Sequence, residues 1–176
     1  MRTALRIATL AGLVMVAPCA AQTPAKPPQQ PITHKAAGRR SAAPEVFVAV
    51  LSGAYEVPAV ETPATATAEL TLVGSRLHYQ IHVHSVSDVT GAYIHIGQAG
   101  EEDPAVADLF EGVKAGRISG LLASGTLRAA DLHETTMWRL LRALRHDDAY
   151  LTVHTRAHPG GELRGQLRVQ PVVASR

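Results

Sequence analysis

The clearest pattern along the chain is the alternation of apolar and polar residues in two neighbouring segments. Every second residue is apolar from 66 to 72, and the same alternation continues from 77 to 84. Successive side chains of a β-strand point to opposite faces of the sheet, so this period of two predicts two half-buried strands. The connection between them contains Gly74 and Ser75, and its turn composition predicts a hairpin.

Further short segments are rich in strand-forming residues and bounded by turn residues. They cover residues 46–51, 92–97, 117–127, 150–154 and 162–167. The last two are separated by Pro159, Gly160 and Gly161, which predict a sharp turn because Pro fixes φ and Gly supplies positive φ. Many short strands with glycine-rich turns predict an all-β fold, and specifically an antiparallel, Greek-key-like β-sandwich.

One segment has the period of a helix instead. Four residues at i, i+3, i+4 and i+7 lie on one face, Met137, Leu140, Leu141 and Leu144, and Thr135 or Thr136 is placed to cap its start. We therefore expect one short helix within the sandwich. Three arginines share another side of this helix, where they form either a solvated face or a patch for an anion: Arg139, Arg142 and Arg145.

The first 21 residues have the organisation of an export signal. Arg2 and Arg6 precede an apolar run over residues 7–16, which is too short to span a membrane, and small residues precede Gln22. We predict cleavage before Gln22. A lipid anchor on Cys19 is the alternative, disfavoured because Pro18 stands where such anchors need a small residue.

Composition divides the rest of the chain. Residues 22–45 are rich in proline, lack apolar periodicity and predict a disordered linker, followed by the folded domain (46–169) and a tail (170–176). The net charge is +2, and the leader arginines account for all of it. Aromatic residues make up 4% of the chain. This balance favours neither a nucleic-acid partner nor an anionic membrane.

Four segments together resemble the chordin-type (CHRD) domain family. They read LSGAYEVPA at 51–59, AYIHIGQAG at 92–100, GTLRAADL at 125–132 and YLTVHTRAHPGGELRGQ at 150–166. The resemblance implies a secreted β-sandwich without an established catalytic activity. The leading expectation is therefore a non-catalytic binding or structural module, periplasmic or secreted, for an unknown extracytoplasmic protein or ligand.

A more distant resemblance, to copper–zinc superoxide dismutases, concerns the histidines. Residues 93–95 resemble a His-x-His strand that holds copper, with Tyr93 in place of the first histidine, and residues 151–154 resemble a later ligand strand. The alternative function is therefore a copper- or zinc-binding protein with a degenerate dismutase-like site. Its ligands would be His95, His154 and His158. Otherwise His95 and His154 bond to the backbone and hold loops in place.

Three other histidines share one face of the strand predicted at 77–84. They form either an exposed polar face or a metal-binding patch: His78, His82 and His84. No nucleophile elbow or phosphate-binding glycine loop accompanies any of these residues, so an enzymatic role has no motif to support it.

Overall fold

The computed structural model describes residues 44–171, and the predicted signal peptide lies outside that range, as do nearly all of the linker and most of the tail. Within it, seven strands and one α-helix follow one another along the chain. The strands are β1 (Glu45–Ser52), β2 (Thr65–Val73), β3 (Arg76–Ile96), β4 (Ala105–Leu127), β5 (Ala149–Thr155), β6 (Leu163–Gln166) and β7 (Arg168–Gln170), and the helix between β4 and β5 is α1 (Met137–Arg145).

The sheet closes on itself because one edge of β3 pairs with two different strands. The first half of β3 pairs with β2 and its second half with β5, while β4 pairs along the opposite edge. The order β2-β1-β6-β5 then completes the ring, with β7 beside β1. All these pairings are antiparallel. The predicted all-β class and the single helix are therefore confirmed.

The sequence-based boundaries of β3 were wrong in one respect. The predicted strands at 77–84 and 92–97 are two halves of a single strand of 21 residues. Ser85 and Asp88, which separate the halves, have φ of 58° and 51°, and the pairing with β4 shifts register around them. A bulge bends a strand without ending it. Ser and Asp are also common in loops, so the sequence of this bulge resembled a loop between two separate strands.

The core follows the alternation that the sequence shows. The inward residues of β1, β2, β3 and β5 include Phe47, Leu70, Ile81 and Leu151, none of which has exposed surface. The predicted hairpin has the register Ala68 opposite Ile81. Burial of such side chains stabilises each by about 1.5–3 kcal/mol relative to exposure.

The predicted helix is present and packs its apolar face against this core. Leu140 and Leu144 are fully buried, and the Thr136 side chain accepts a hydrogen bond from the Arg139 backbone N–H at the helix start. Arg145 is not free for an anion, since it donates two hydrogen bonds to the carboxylate of Glu45 on β1. Among residues 44–171 no helix has the length and apolarity needed to cross a bilayer.

Candidate binding site on the outer sheet face

Polar side chains concentrate on the outer face of β3, β5 and β6. Leu151 and Val153 point into the core, so strand alternation turns Thr152 and His154 to the opposite side. Thr152 lies between Tyr93 of β3 and Arg164 of β6 in the antiparallel register. Three neighbouring strands therefore present hydrogen-bonding groups at one place.

The connection between β3 and β4, residues 97–104, covers this face and is bonded to it at several points. The Asp103 backbone N–H donates to the Tyr150 hydroxyl at 2.9 Å, and Arg164 Nη2 donates to the Gln98 carbonyl at 3.0 Å. His95 and Arg164 are 9% and 3% exposed as a result. The polar face is thus mostly sealed from solvent by its own loop.

Two of the predicted metal ligands meet through a threonine. His95 Nε2 and His154 Nε2 each lie 3.0 Å from the Thr152 hydroxyl oxygen. Their Nδ1 atoms contact the Asp103 carbonyl at 2.7 Å and the Pro159 carbonyl at 2.8 Å. Because a carbonyl oxygen only accepts, both Nδ1 atoms carry protons and both Nε2 atoms of the neutral rings hold lone pairs.

Two hydrogen bonds between the Thr152 hydroxyl and the Nε2 atoms of His95 and His154 would need one more proton than these groups hold. The Thr152 hydroxyl has a single hydrogen and can donate to only one of the two Nε2 atoms. One added proton would complete both bonds and leave one ring charged. Burial opposes this, because desolvation lowers the pKa of both His95 and His154, while the bonds of the Nδ1 atoms to the carbonyls act in the opposite direction.

Aromatic contacts fix the orientation of the same rings. The His95 ring stacks parallel to Tyr150 with centroids 4.7 Å apart, and the Arg164 guanidinium carbon lies 3.5 Å from the Tyr150 ring centroid. Tyr93, the residue that replaces a dismutase ligand, contacts the His154 ring edge-on at 4.8 Å. A histidine at this position would supply a second imidazole, whereas Tyr93 packs against His154.

His158 takes no part in this hydrogen-bond chain. Its carbonyl accepts from the Thr155 and Gly161 backbone N–H groups, and its own N–H donates to the Thr155 hydroxyl at 3.2 Å. It therefore shapes the turn between β5 and β6. Within residues 44–171 no group of three or more His, Cys, Asp or Glu side chains is placed to hold a metal ion. The three-histidine site stays a prediction.

A buried carboxylate anchors the segment that follows β1. Glu162 accepts hydrogen bonds from the hydroxyls of Thr62 and Thr155, each at 2.7 Å. Thr62 belongs to the connection between β1 and β2, and Thr155 ends β5. This pair of bonds therefore ties the residue 53–64 segment to the turn at 158–161, and both segments border the region described next.

A cleft of 580 Å³ lies beside the polar face, between the segment after β1 and the residue 97–104 loop. Its size falls within the range usual for ligand sites. The lining is mainly apolar with charged groups at intervals. It comprises Val48, Val50, Ala54, Tyr55, Glu56, Val57, Ala99, Gly100, Arg164, Gln166 and Arg168.

Glu56 is the unusual member of this lining. It is only 9% exposed, and its Oε1 atom is buried without a hydrogen-bond partner. Desolvation raises the pKa of Glu56, although Arg164 opposes the shift. This oxygen faces Gly161 on the turn after β5, since a Cβ added there would lie 2.5 Å from it, so the fold and not the cleft encloses it.

Sequence reasoning missed the residues that organise this face. Thr152, Arg164 and Glu56 were not proposed as site residues. A signal was present, because all three lie inside the segments that resemble the CHRD family, and Thr152 and His154 share a strand face by spacing alone. The position of the covering loop could not be foreseen, since its bonds to Tyr150 and Arg164 join residues 47 and 66 positions apart.

Comparison with known proteins accounts for these segments. The sequence profile of the CHRD domain matches residues 47–167, which include most of β1, all of β2 to β6 and every cleft-lining residue except Arg168. The chain belongs to the CHRD domain family. Chordin from Xenopus laevis is 29% identical over 128 residues, which cover 68% of this chain and 12% of chordin. The CHRD chain therefore spans about an eighth of that relative. No solved structure matches it significantly.

Proposed function

We propose that this CHRD protein is a non-catalytic binding module outside the cytoplasm and that the cleft bordered by Glu56 and Tyr55 is its ligand site. The observation that carries the proposal is the cleft of 580 Å³, whose mainly apolar lining includes the charged residues Glu56, Arg164 and Arg168. Family membership supports an extracellular module. The export signal predicted from the sequence of residues 1–21 is consistent with export, which N-terminal sequencing of the mature chain tests.

The polar face next to the cleft has a supporting role in this proposal. The hydrogen bonds of His95, Thr152 and His154 all go to one another or to backbone carbonyls, and the Arg164 and Tyr150 groups bind the covering loop. These bonds fix one wall of the cleft. A rigid wall lowers the entropy lost on binding, because fewer groups become ordered when a ligand arrives.

A change on the cleft surface tests the site without disturbing the fold. Val50 lines the cleft and is 66% exposed, so Val50→Lys should leave the free energy of unfolding within about 0.5 kcal/mol of wild type while filling the cleft with a long cation. We expect it to abolish binding of any cleft ligand found by titrating peptides, sugars and aliphatic carboxylates against ¹⁵N-labelled protein.

Val113 supplies the matched control. It is 60% exposed on β4 and lies outside the cleft lining, so Val113→Lys adds the same side chain elsewhere. A ligand whose affinity is unchanged by Val50→Lys, or reduced equally by both variants, would count against the cleft as the site.

A second candidate function is copper or zinc binding, and one observation favours it. Both Nε2 lone pairs of His95 and His154 converge on the Thr152 oxygen, and both Nδ1–H groups are held by carbonyls. Metal-binding histidines are typically oriented in this way. Two imidazoles fit such a site, whereas His158 is not bonded to them.

Calorimetric titration with Cu(II) and Zn(II) tests this candidate. If the metal binds, His154→Ala should weaken binding at least tenfold, and His34→Ala should not change it. Affinity should fall in acid, because protons compete for the same nitrogens. Burial lowers the pKa of His95 and His154 below 6.5, so the fall should begin at lower pH than for free imidazole. Equal affinities in all variants would reject the site.

A further inference from the structure

A second concave site lies against the exposed side of α1 and shares no lining residue with the cleft. Its volume of 300 Å³ is at the lower end of the range usual for ligand sites. Ile96, the last residue of β3, and Ala143 of the helix supply apolar surface. The polar and aromatic lining comes from Trp138, Arg139, Arg142, His146 and Asp148. We call this site the α1 pocket.

The α1 pocket has positive charge that the described residues do not neutralise. Arg139 and Arg142 are both exposed and lie three positions apart, on one side of the helix. Within residues 44–171 neither forms an ion pair, whereas Arg145, the third arginine of the helix, is held by Glu45. The helix itself has no acidic residue. The pocket therefore offers two guanidinium groups to an anionic ligand, and both are accessible from solvent.

Trp138 provides a flat apolar surface at the same place. It is the only tryptophan of the chain, and 66% of its surface is exposed. The guanidinium carbon of Arg142 lies 5.8 Å from its ring centroid, so a cation stands beside the aromatic ring. This pair suits a ligand whose own ring has an apolar face next to an anionic group.

Asp148 narrows the choice among anionic ligands. It precedes β5, and its backbone is held in place because its N–H donates to the Ala143 carbonyl and its carbonyl accepts from the Gly97 N–H. An ionised carboxylate only accepts hydrogen bonds, and it repels further negative charge. In the lining of the α1 pocket it therefore disfavours a phosphate with two charges or an anionic membrane surface, and it favours a ligand with hydroxyl groups.

We infer that the α1 pocket binds an acidic sugar, a uronic acid residue of a polysaccharide. The C–H groups on one face of the sugar ring pack on Trp138. The sugar carboxylate accepts hydrogen bonds from Arg139 and Arg142, and a sugar hydroxyl donates to Asp148. This site is separate from the cleft, so the inference adds a second ligand to the proposed binding module.

The experiment is a titration of ¹⁵N-labelled protein with trigalacturonic acid. The indole N–H of Trp138 gives a single resonance, because the chain has one tryptophan. We expect this resonance and those of α1 to shift, while the resonances of the cleft stay in place. The methyl ester of the same trisaccharide keeps the hydroxyl groups without the charge, and it should bind at least tenfold more weakly. Added salt should also weaken binding of the acid, since the arginines are exposed.

Two substitutions test the contacts, each with a matched control. Arg142→Gln should weaken binding at least tenfold, whereas Arg117→Gln removes the same charge from an exposed position of β4 outside the pocket and should not. Trp138→Ala should weaken binding by a similar factor. Tyr55→Ala removes an exposed aromatic ring from the cleft and should leave binding unchanged. All four residues are exposed, so the melting temperatures should stay close to that of wild type.

Several outcomes would overturn the inference. These are equal affinity for the acid and its methyl ester, unchanged affinity in Arg142→Gln, or no shift of the Trp138 resonance. Tighter binding of inorganic phosphate, oligothymidylate or phosphatidylglycerol vesicles would also overturn it, because each supplies negative charge without a sugar carboxylate. Any of these results would leave the proposed function of the cleft standing, since Val50→Lys tests the cleft separately.

Discussion

Ile81→Asp is expected to unfold the domain. Ile81 has no exposed surface and lies in the first half of β3, between Ala68 of β2 and Ala123 of β4. An aspartate there would place a carboxylate in the core with no partner to neutralise it. The expected loss is about 4 kcal/mol or more, a large part of the stability of an ordinary domain.

His82→Asp is the matched control for this substitution. His82 is the next residue of the same strand, is exposed, and pairs with Thr67 and Leu121. The same charge on the outer face should change the free energy of unfolding by about 0.5 kcal/mol or less. Urea denaturation followed by circular dichroism measures both. A folded Ile81→Asp protein with a wild-type midpoint would contradict the assignment of this face to the core.

The contrast between Ile81 and His82 shows what the sequence determines well. Alternation depends only on which residues avoid water, so it predicted the inward faces of β2 and β3, including their hairpin. The periodicity of residues 137–144 predicted the helix for the same reason. These patterns are local, and the long-range structure preserved them.

The sequence could not determine where β3 bends or what covers its outer face. The bend depends on the φ angles of Ser85 and Asp88, two residue types that are also common in loops. The position of His95 was predicted, but its main contacts, Thr152 and the Asp103 carbonyl, lie on other elements. The alternative interpretation, that His95 and His154 bond to the backbone and hold loops in place, is confirmed by their bonds to the Asp103 and Pro159 carbonyls, whereas the metal site stays a prediction.

Glu56 illustrates the same limit for the cleft. In the sequence it is one acidic residue in a family-like segment, LSGAYEVP, with nothing to distinguish it from an exposed glutamate. Its burial arises because Gly161, on the turn after β5, lacks a side chain, and a Cβ there would overlap the Glu56 carboxyl group. Glu56 becomes buried only when the fold brings together two segments that lie about 100 positions apart in the sequence.

Gly165→Ala is expected to have the second large effect. Gly165 lies on β6 opposite Leu151, and a Cβ at this position would overlap the Val50 carbonyl group of β1 and come within 3.0 Å of Leu51 Cγ. Real Cβ atoms do not come so close to backbone atoms. Because β1 is held by its pairing with β2, it cannot yield easily, and we expect a loss of about 3 kcal/mol.

Gly160→Ala is the matched control. It distinguishes the steric overlap at Gly165 from the general effect of replacing any glycine with alanine. Gly160 has no atom within 4 Å of its added Cβ and no left-handed φ, so alanine should be neutral or stabilise by up to about 1 kcal/mol through the unfolded chain. Urea denaturation of both variants gives the comparison. Val50 and Arg164 line the cleft from β1 and β6, so separation of these strands should also weaken any cleft ligand. Equal stability of the two variants would show that β1 and β6 are not packed backbone to backbone.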